Sequence, residues 1–147
     1  MVVAAARALA ALVLEALASQ LVVVSIHGDS MAPTLRVGDR VLVLRRWPRR
    51  WLRRGEVILL KPADRYLQNA AVKRVGAVAG DHVKPGYDSA TGAAAWSGLV
   101  GPEEIFIVGD SPGSVDSRWF GPVPVDEVAG LVLLRLASRS GRLVSDR

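Results

Sequence analysis

Few side chains in this sequence could take part in bond-making at neutral pH, and one serine stands out by its setting. Ser30 lies in HGDSMAPTL, bracketed by Gly28 and Pro33, directly after a run of β-branched residues. A turn of this kind can present a hydroxyl and neighbouring backbone N–H groups to one reacting carbonyl. A nucleophilic serine also needs a base to take its proton. The two histidines offer little: His27 is three residues away and would have to fold back on itself, and His82 sits in a separate turn. Lys73 is different, because it interrupts an apolar stretch, AVKRV, where strand alternation points it to the face opposite Val72 and Arg74. A charged lysine inside such a strand is costly unless it is paired or loses its proton. Desolvation would bring its pKa from about 10.4 down towards 7 or 8, and the neutral amine could then accept the serine proton. The same strand is compatible with Lys73 facing solvent at a sheet edge, so these residues alone leave both positions open.

Composition removes several other chemistries. The 147 residues include no cysteine, which excludes disulfides, thiolate catalysis and cysteine-ligated metal centres. Two histidines give no basis for a histidine-rich metal site, and neither a metal nor a cofactor is expected. The net charge of +5 comes almost entirely from arginine and suits an anionic membrane surface or nucleic acid. Much of it is concentrated in RRWPRRWLRR, where Arg45, Arg46, Arg49, Arg50, Arg53 and Arg54 alternate with Trp47 and Trp51. Tryptophan prefers the headgroup layer, and each arginine near anionic lipid gains about 1 kcal/mol, so Trp47 and Trp51 are read as membrane-interface residues. A merely solvated basic loop has the same composition. No recognition helix, zinc finger or RNA-binding signature accompanies the segment, and nucleic acid is not expected as a partner.

Around these residues the chain divides in two. Residues 2–18, VVAAARALAALVLEALA, are strong helix formers and apolar nearly all round. A membrane anchor, a surface-lying helix and a cleavable leader compete here. Ala16-Leu17-Ala18 has the small-x-small form of a cleavage site, whereas Arg7 and Glu15 count against deep burial in lipid. The anchor is favoured, so residues 1–19 are expected to form a transmembrane helix and residues 20–147 a β-rich catalytic domain. In that second part, residues 21–26, 40–45, 56–60, 71–78, 103–110 and 128–136 read as strands punctuated by Gly, Pro and Asp. Residues 84–101 read as a loop or loose hairpin. The fold class is mostly β, a coiled sheet or partly closed barrel, with no amphipathic helix of useful length after residue 20.

Four segments then carry a resemblance. HGDSMAPTL resembles the serine box of type I signal peptidases, a small residue followed by x-Ser-Met-x-Pro-Thr-Leu; VKRVGAVAGD is similar to their lysine box. GDSPGSVDSRWFGPV resembles their carboxy-terminal Gly-Asp…Ser-x-Asp-Ser-Arg-x-x-Gly box, and RGEVILL their Arg-Gly-Asp-x-Val strand. All four stand in the family's order and reach from about Ile26 to Val123. The resemblance implies that Ser30 attacks the scissile carbonyl, that Lys73 serves as base and then as acid, and that Ser114 orients the lysine amine. It implies a charged pair of Asp116 and Arg118 under the site, with Asp110 holding the same loop. Met31 would pack beside the nucleophile, and Gly28, Asp29 and the Ser30 N–H would border the oxyanion.

The family's fold is a β-rich catalytic domain with an apolar surface resting in the membrane. Its substrates are preproteins whose signal peptides are cut after small residues. The implied location is a single-pass protein of the bacterial cell membrane with an extracytoplasmic catalytic domain, or of the mitochondrial inner membrane. Three positions depart from the pattern: Gly28 where some members carry a hydroxyl residue, Ala79 for proline before Gly-Asp, and Ser111 for asparagine. Other readings are a maturation protease dedicated to one client, a self-cleaving repressor of the SOS type, and a non-enzymatic basic membrane- or nucleic-acid-binding β module. The repressor reading fails because this amino terminus has neither the room nor the polarity of a DNA-binding helix-turn-helix, and because repressors of that type lack the Asp-Ser-Arg box found here.

Overall fold

The computed structural model describes residues 2–62, 71–87 and 94–136. In chain order these form α1 (Val2–Ala18), β1 (Leu21–Ser25), β2 (Arg40–Leu44), a 3₁₀ turn (Arg49–Trp51), β3 (Val57–Leu60) and β4 (Val72–Val78). Next come β5 (His82–Val83), β6 (Gly86–Tyr87), β7 (Ala94–Ala95), β8 (Gly98–Leu99), β9 (Glu104–Val108), the single turn α2 (Ser117–Phe120), β10 (Val123–Pro124) and β11 (Val128–Arg135). The six stretches rich in Val, Ile and Leu are the six longest strands, because β-branched side chains fill a pleated, half-buried surface. The segment expected as a loose hairpin forms two short ladders, β5 with β8 and β6 with β7; its residues 88–93 lie outside those described.

The main sheet has seven strands in the order β1-β2-β11-β3-β4-β9-β10, every neighbouring pair antiparallel. Register decides which side chains share a face, since directly paired residues project together. Val22 and Val24 of β1 pair with Val43 and Val41 of β2, and Val132 of β11 pairs with Val43. These valines form one core with Ile26, Met31 and Leu35, the apolar residues of the serine segment. A second core on the opposite face gathers Leu52, Ile58, Leu60, Val75, Ile105, Ile107, Val123 and Val128. Two bulges in β11 and one between β4 and β9 let the sheet coil around both cores. β2 and β11 approach so closely at Gly130 that a Cβ there would meet Val43 Cγ1 and, at 2.8 Å, the carbonyl of Leu44.

The amino-terminal helix corrects one expectation. α1 has 17 residues, and no helix among the described residues is long and apolar enough to cross a membrane. Arg7 and Glu15 interrupt its apolar run. At about 1.5 Å per residue it also falls short of the roughly 30 Å hydrocarbon layer. Every described side chain of α1 is exposed, including Leu9, Leu12, Leu14 and Leu17.

Candidate active site

The serine segment is a long excursion between β1 and β2, closed at its neck by backbone bonds. Ile26 donates to the Asp39 carbonyl at 2.8 Å, and Gly38 donates back to the Ile26 carbonyl at 2.8 Å. Asp39 is buried, and its carboxylate accepts from the Arg36 amide at 2.9 Å. Met31 and Leu35 anchor the excursion in the core, so Ser30 is carried on a fixed turn, half-buried at its rim. His27, Gly28 and Asp29 are exposed, and a Cβ at Gly28 would meet nothing within 4 Å. A hydroxyl residue would therefore fit where glycine stands.

Lys73 comes from β4, paired with Ile58 of β3, and its side chain is only 3 % exposed. Alternation placed it correctly on the face opposite Val72 and Arg74, and that face is buried. Its amine donates to Ser114 Oγ at 2.6 Å. Burial pulls the Lys73 pKa below the ordinary lysine value; the attraction of Asp116 and Asp29 opposes this, while Arg118 reinforces it. The Ser30 hydroxyl donates to the carbonyl of Val72, the residue next to Lys73, at 3.5 Å. This is a long bond, of the kind that shortens or re-aims when a substrate arrives.

The carboxy-terminal box supports both. Ser114 is buried and also shares a hydrogen bond with the Asp116 carboxylate. Asp116 is fully buried and accepts from the Gly109 amide at 2.8 Å and the Arg118 amide at 3.1 Å. The Arg118 guanidinium grips it with two further bonds, at 2.9 and 2.7 Å. Burial pushes the Asp116 carboxyl up, yet Arg118, the two amides and Ser114 outweigh it and hold the group below its ordinary value. Asp110 takes a two-pronged contact from Arg74 at 2.8 and 2.7 Å, which, with a bond from Thr34, lowers its pKa against the opposing effect of burial.

Four supporting residues were not singled out in advance. Arg74 ties Asp110 to the Gly55 carbonyl at 2.6 Å, joining the loop before β3 to the site. Thr34 links the serine segment to Asp110. Ser117 is fully buried and its hydroxyl accepts from the Ile107 amide at 2.9 Å, pinning α2 to β9. Gly109 lies where the chains crowd most, for a Cβ there would collide with Ser114 and with the Ser30 carbonyl at once. A glycine ending the apolar strand EEIFIVGD was the available signal for this last one. Ser111 explains its own tolerance: its amide donates to the Ser30 carbonyl at 3.0 Å, a backbone bond that any residue could make. Trp47 and Trp51, read together from sequence, separate here. Trp47 is half-buried against the second core, whereas Trp51 is exposed. Among the described residues no group of His, Asp and Glu could hold a metal ion, and no buried side-chain polar atom lacks a partner.

Comparisons with known proteins point to one family. A family model described as signal peptidase, peptidase S26, matches residues 1–91 and 85–137. The chain is 34% identical over 114 residues to the mitochondrial ATP-independent inner membrane protease subunit 1a of Arabidopsis thaliana, covering 76% of this chain and 67% of that one. It is 27% identical over 144 residues to a probable signal peptidase I-2 of Synechocystis, covering 82% of this chain and 66% of the relative. The chain thus spans about two thirds of the length of these relatives. With the matched regions reaching from the helix through both halves of the site, the chain belongs to the signal peptidase family, peptidase S26, whose members are serine endopeptidases.

Proposed function

We propose that this chain is a membrane-apposed endopeptidase that removes leader peptides from preproteins after small residues, with Ser30 as nucleophile and Lys73 as general base. The observation that carries the reading is Lys73 itself. Its amine is desolvated and lowered in pKa, held by Ser114, and one residue away from the carbonyl that receives the Ser30 hydroxyl. An amine that gives its hydrogen-bonding protons to Ser114, which in turn leans on Asp116, keeps its lone pair for the serine proton.

The reaction follows from these positions. The neutral Lys73 amine takes the proton as Ser30 Oγ attacks the scissile carbonyl. The negative charge that develops on the carbonyl oxygen is met by backbone N–H groups of the turn at Ser30, since Gly28 brings no hydroxyl. Lys73, now an ammonium, protonates the departing amine as the C–N bond breaks, leaving the leader joined to Ser30 Oγ as an ester. Water activated by the same amine then releases it. Asp116 and Arg118 hold Ser114 in place and do not themselves exchange protons in this scheme.

Membrane apposition is supported by two exposed apolar stretches that are consecutive in the chain. α1 exposes its leucines, and β1 continues from it with Leu21 and Val23 exposed on the outer face of the sheet. Val23 shares that face with Leu42 and Leu134, which pair in one row. The family relatives named above include an inner membrane protease, consistent with this setting. A short helix, apolar nearly all round but carrying Arg7 and Glu15, suits the bilayer interface rather than its interior.

The test is to incubate the full-length chain in detergent with a model preprotein and map the cut by mass spectrometry. A single cut after a small-x-small triplet is expected, abolished by Ser30→Ala with an unchanged circular dichroism spectrum. Cleavage that survives Ser30→Ala would overturn the assignment.

A further inference from the structure

The segment from Arg45 to Arg54 is more than a solvated basic loop, because the structure fixes both where it starts and which way it faces. It begins at the foot of the helix: the Arg45 amide donates to the Gln20 carbonyl at 2.8 Å, and Leu44 pairs with Leu21. Trp47 packs on the second core and Leu52 is buried within it, so two inward anchors pin the segment across the sheet. Between and beyond these anchors Arg45, Arg46, Arg49, Arg50, Arg53 and Arg54 are exposed, with no acidic residue in the stretch. Among the described residues only Arg54 of this set forms an ion pair, with Asp81 at 2.6 Å. Trp51 is 59 % exposed and Arg50 lies over its ring at 5.7 Å from the centroid.

We propose that this segment is a binding surface for the phosphate headgroups of an anionic bilayer, placed at the base of α1 so that membrane charge sets how the catalytic domain lies. The occupant follows from what adjoins the arginines. Exposed Leu9, Leu12, Leu14 and Leu17 precede the segment's attachment point at Gln20, and Leu21, Val23 and Leu134 are exposed on the sheet that carries it. Nucleic acid has no use for that apolar surround, whereas a bilayer offers hydrocarbon and phosphate side by side. An exposed indole between arginines fits the headgroup layer for the same reason. The inference deepens the membrane-apposed reading but does not need the peptidase to be active, since binding is measured without turnover.

The experiment uses the full-length chain and two sets of vesicles, pure phosphatidylcholine and phosphatidylcholine with roughly a third phosphatidylglycerol. The wild type should bind the anionic vesicles about tenfold or more tightly. Replacing Arg45, Arg46, Arg49 and Arg50 with glutamine together should bring that ratio close to one, while hydrolysis of a short soluble peptide stays unchanged. Raising salt from about 0.05 M to about 0.5 M should collapse the ratio for the wild type, a measurement that needs no variant to fold. A ratio near one in the wild type, or one that survives the four substitutions, overturns the proposal. So does an oligonucleotide that displaces the protein from anionic vesicles at equal phosphate concentration. Loss of peptide cleavage in Ser30→Ala with the binding ratio intact would leave this surface standing apart from the catalytic reading.

Discussion

One lysine and a run of six arginines, each side chain with the same single formal charge, are treated in opposite ways in this molecule. Lys73 is drawn into the protein until its proton is held weakly. The arginines from Arg45 to Arg54 are pushed outward, where a guanidinium keeps its charge at any working pH. The difference teaches that the site depends on the cost of burying an amine and the basic segment on leaving that cost unpaid. A lysine lowered in pKa by the fold is less protonated than the same lysine in the unfolded chain. Between its folded value and about 10.4, the unfolded state therefore holds a proton that the folded state lacks, and stability climbs with pH across that window. Below the window both states are protonated and the full burial cost remains.

The comparison breaks most sharply at Lys73. Lys73→Met should abolish peptide hydrolysis, a loss of about 10³-fold or more, while raising thermal stability at neutral pH by roughly 1–3 kcal/mol. Activity of the wild type should rise with pH through a midpoint below the ordinary lysine range. A methionine variant that melts lower than the parent would show that no burial cost is stored at this position. Next in size is Gly109→Ala, which drives a methyl between Ser114 and the Ser30 carbonyl. Its expected outcome is a stability loss of about 2 kcal/mol and a fall in kcat of about 100-fold, read by thermal melts and steady-state kinetics. Wild-type kinetics in this variant would mean that the two loops can part without consequence. The smallest effect belongs to the arginine segment: Arg54→Gln frees Asp81, whose carboxyl sits at about 2 chiefly through its hydrogen bond to Arg54. Because that pair is open to water, soluble-peptide kinetics and the melting midpoint at neutral pH should both match the wild type.

The order in which these elements could be read from sequence has a physical basis. Strands built from valine, isoleucine and leucine announce themselves locally, since period and side-chain shape suffice to place them. Lys73 was legible as a candidate because alternation put one charge on an apolar face. Whether that face was dry could not be read there, since it depends on Ser114 and Asp116, some forty residues later in the chain. Arg74, Thr34 and Ser117 are invisible for the same reason: each acts through a partner that only the fold supplies. The helix misleads in sequence, because its apolar composition is conspicuous while Arg7, Glu15 and a length about one turn too short for a span are not. Trp47 and Trp51 share a motif, yet the first packs on the core and the second, the last residue of the 3₁₀ turn, is exposed.

The backbone bond from Ser111 to Ser30 has a consequence for the newborn chain. Ser30 and Lys73 leave the ribosome well before Gly109, Ser114 and Asp116, at a synthesis rate of about 5–20 residues per second. Until that last stretch emerges, the lysine has no hydroxyl to steady its amine and the turn carrying Ser30 lacks its backbone bond to Ser111. The surroundings of Lys73 are therefore completed by the last of the boxes to be synthesised, never by the first two alone.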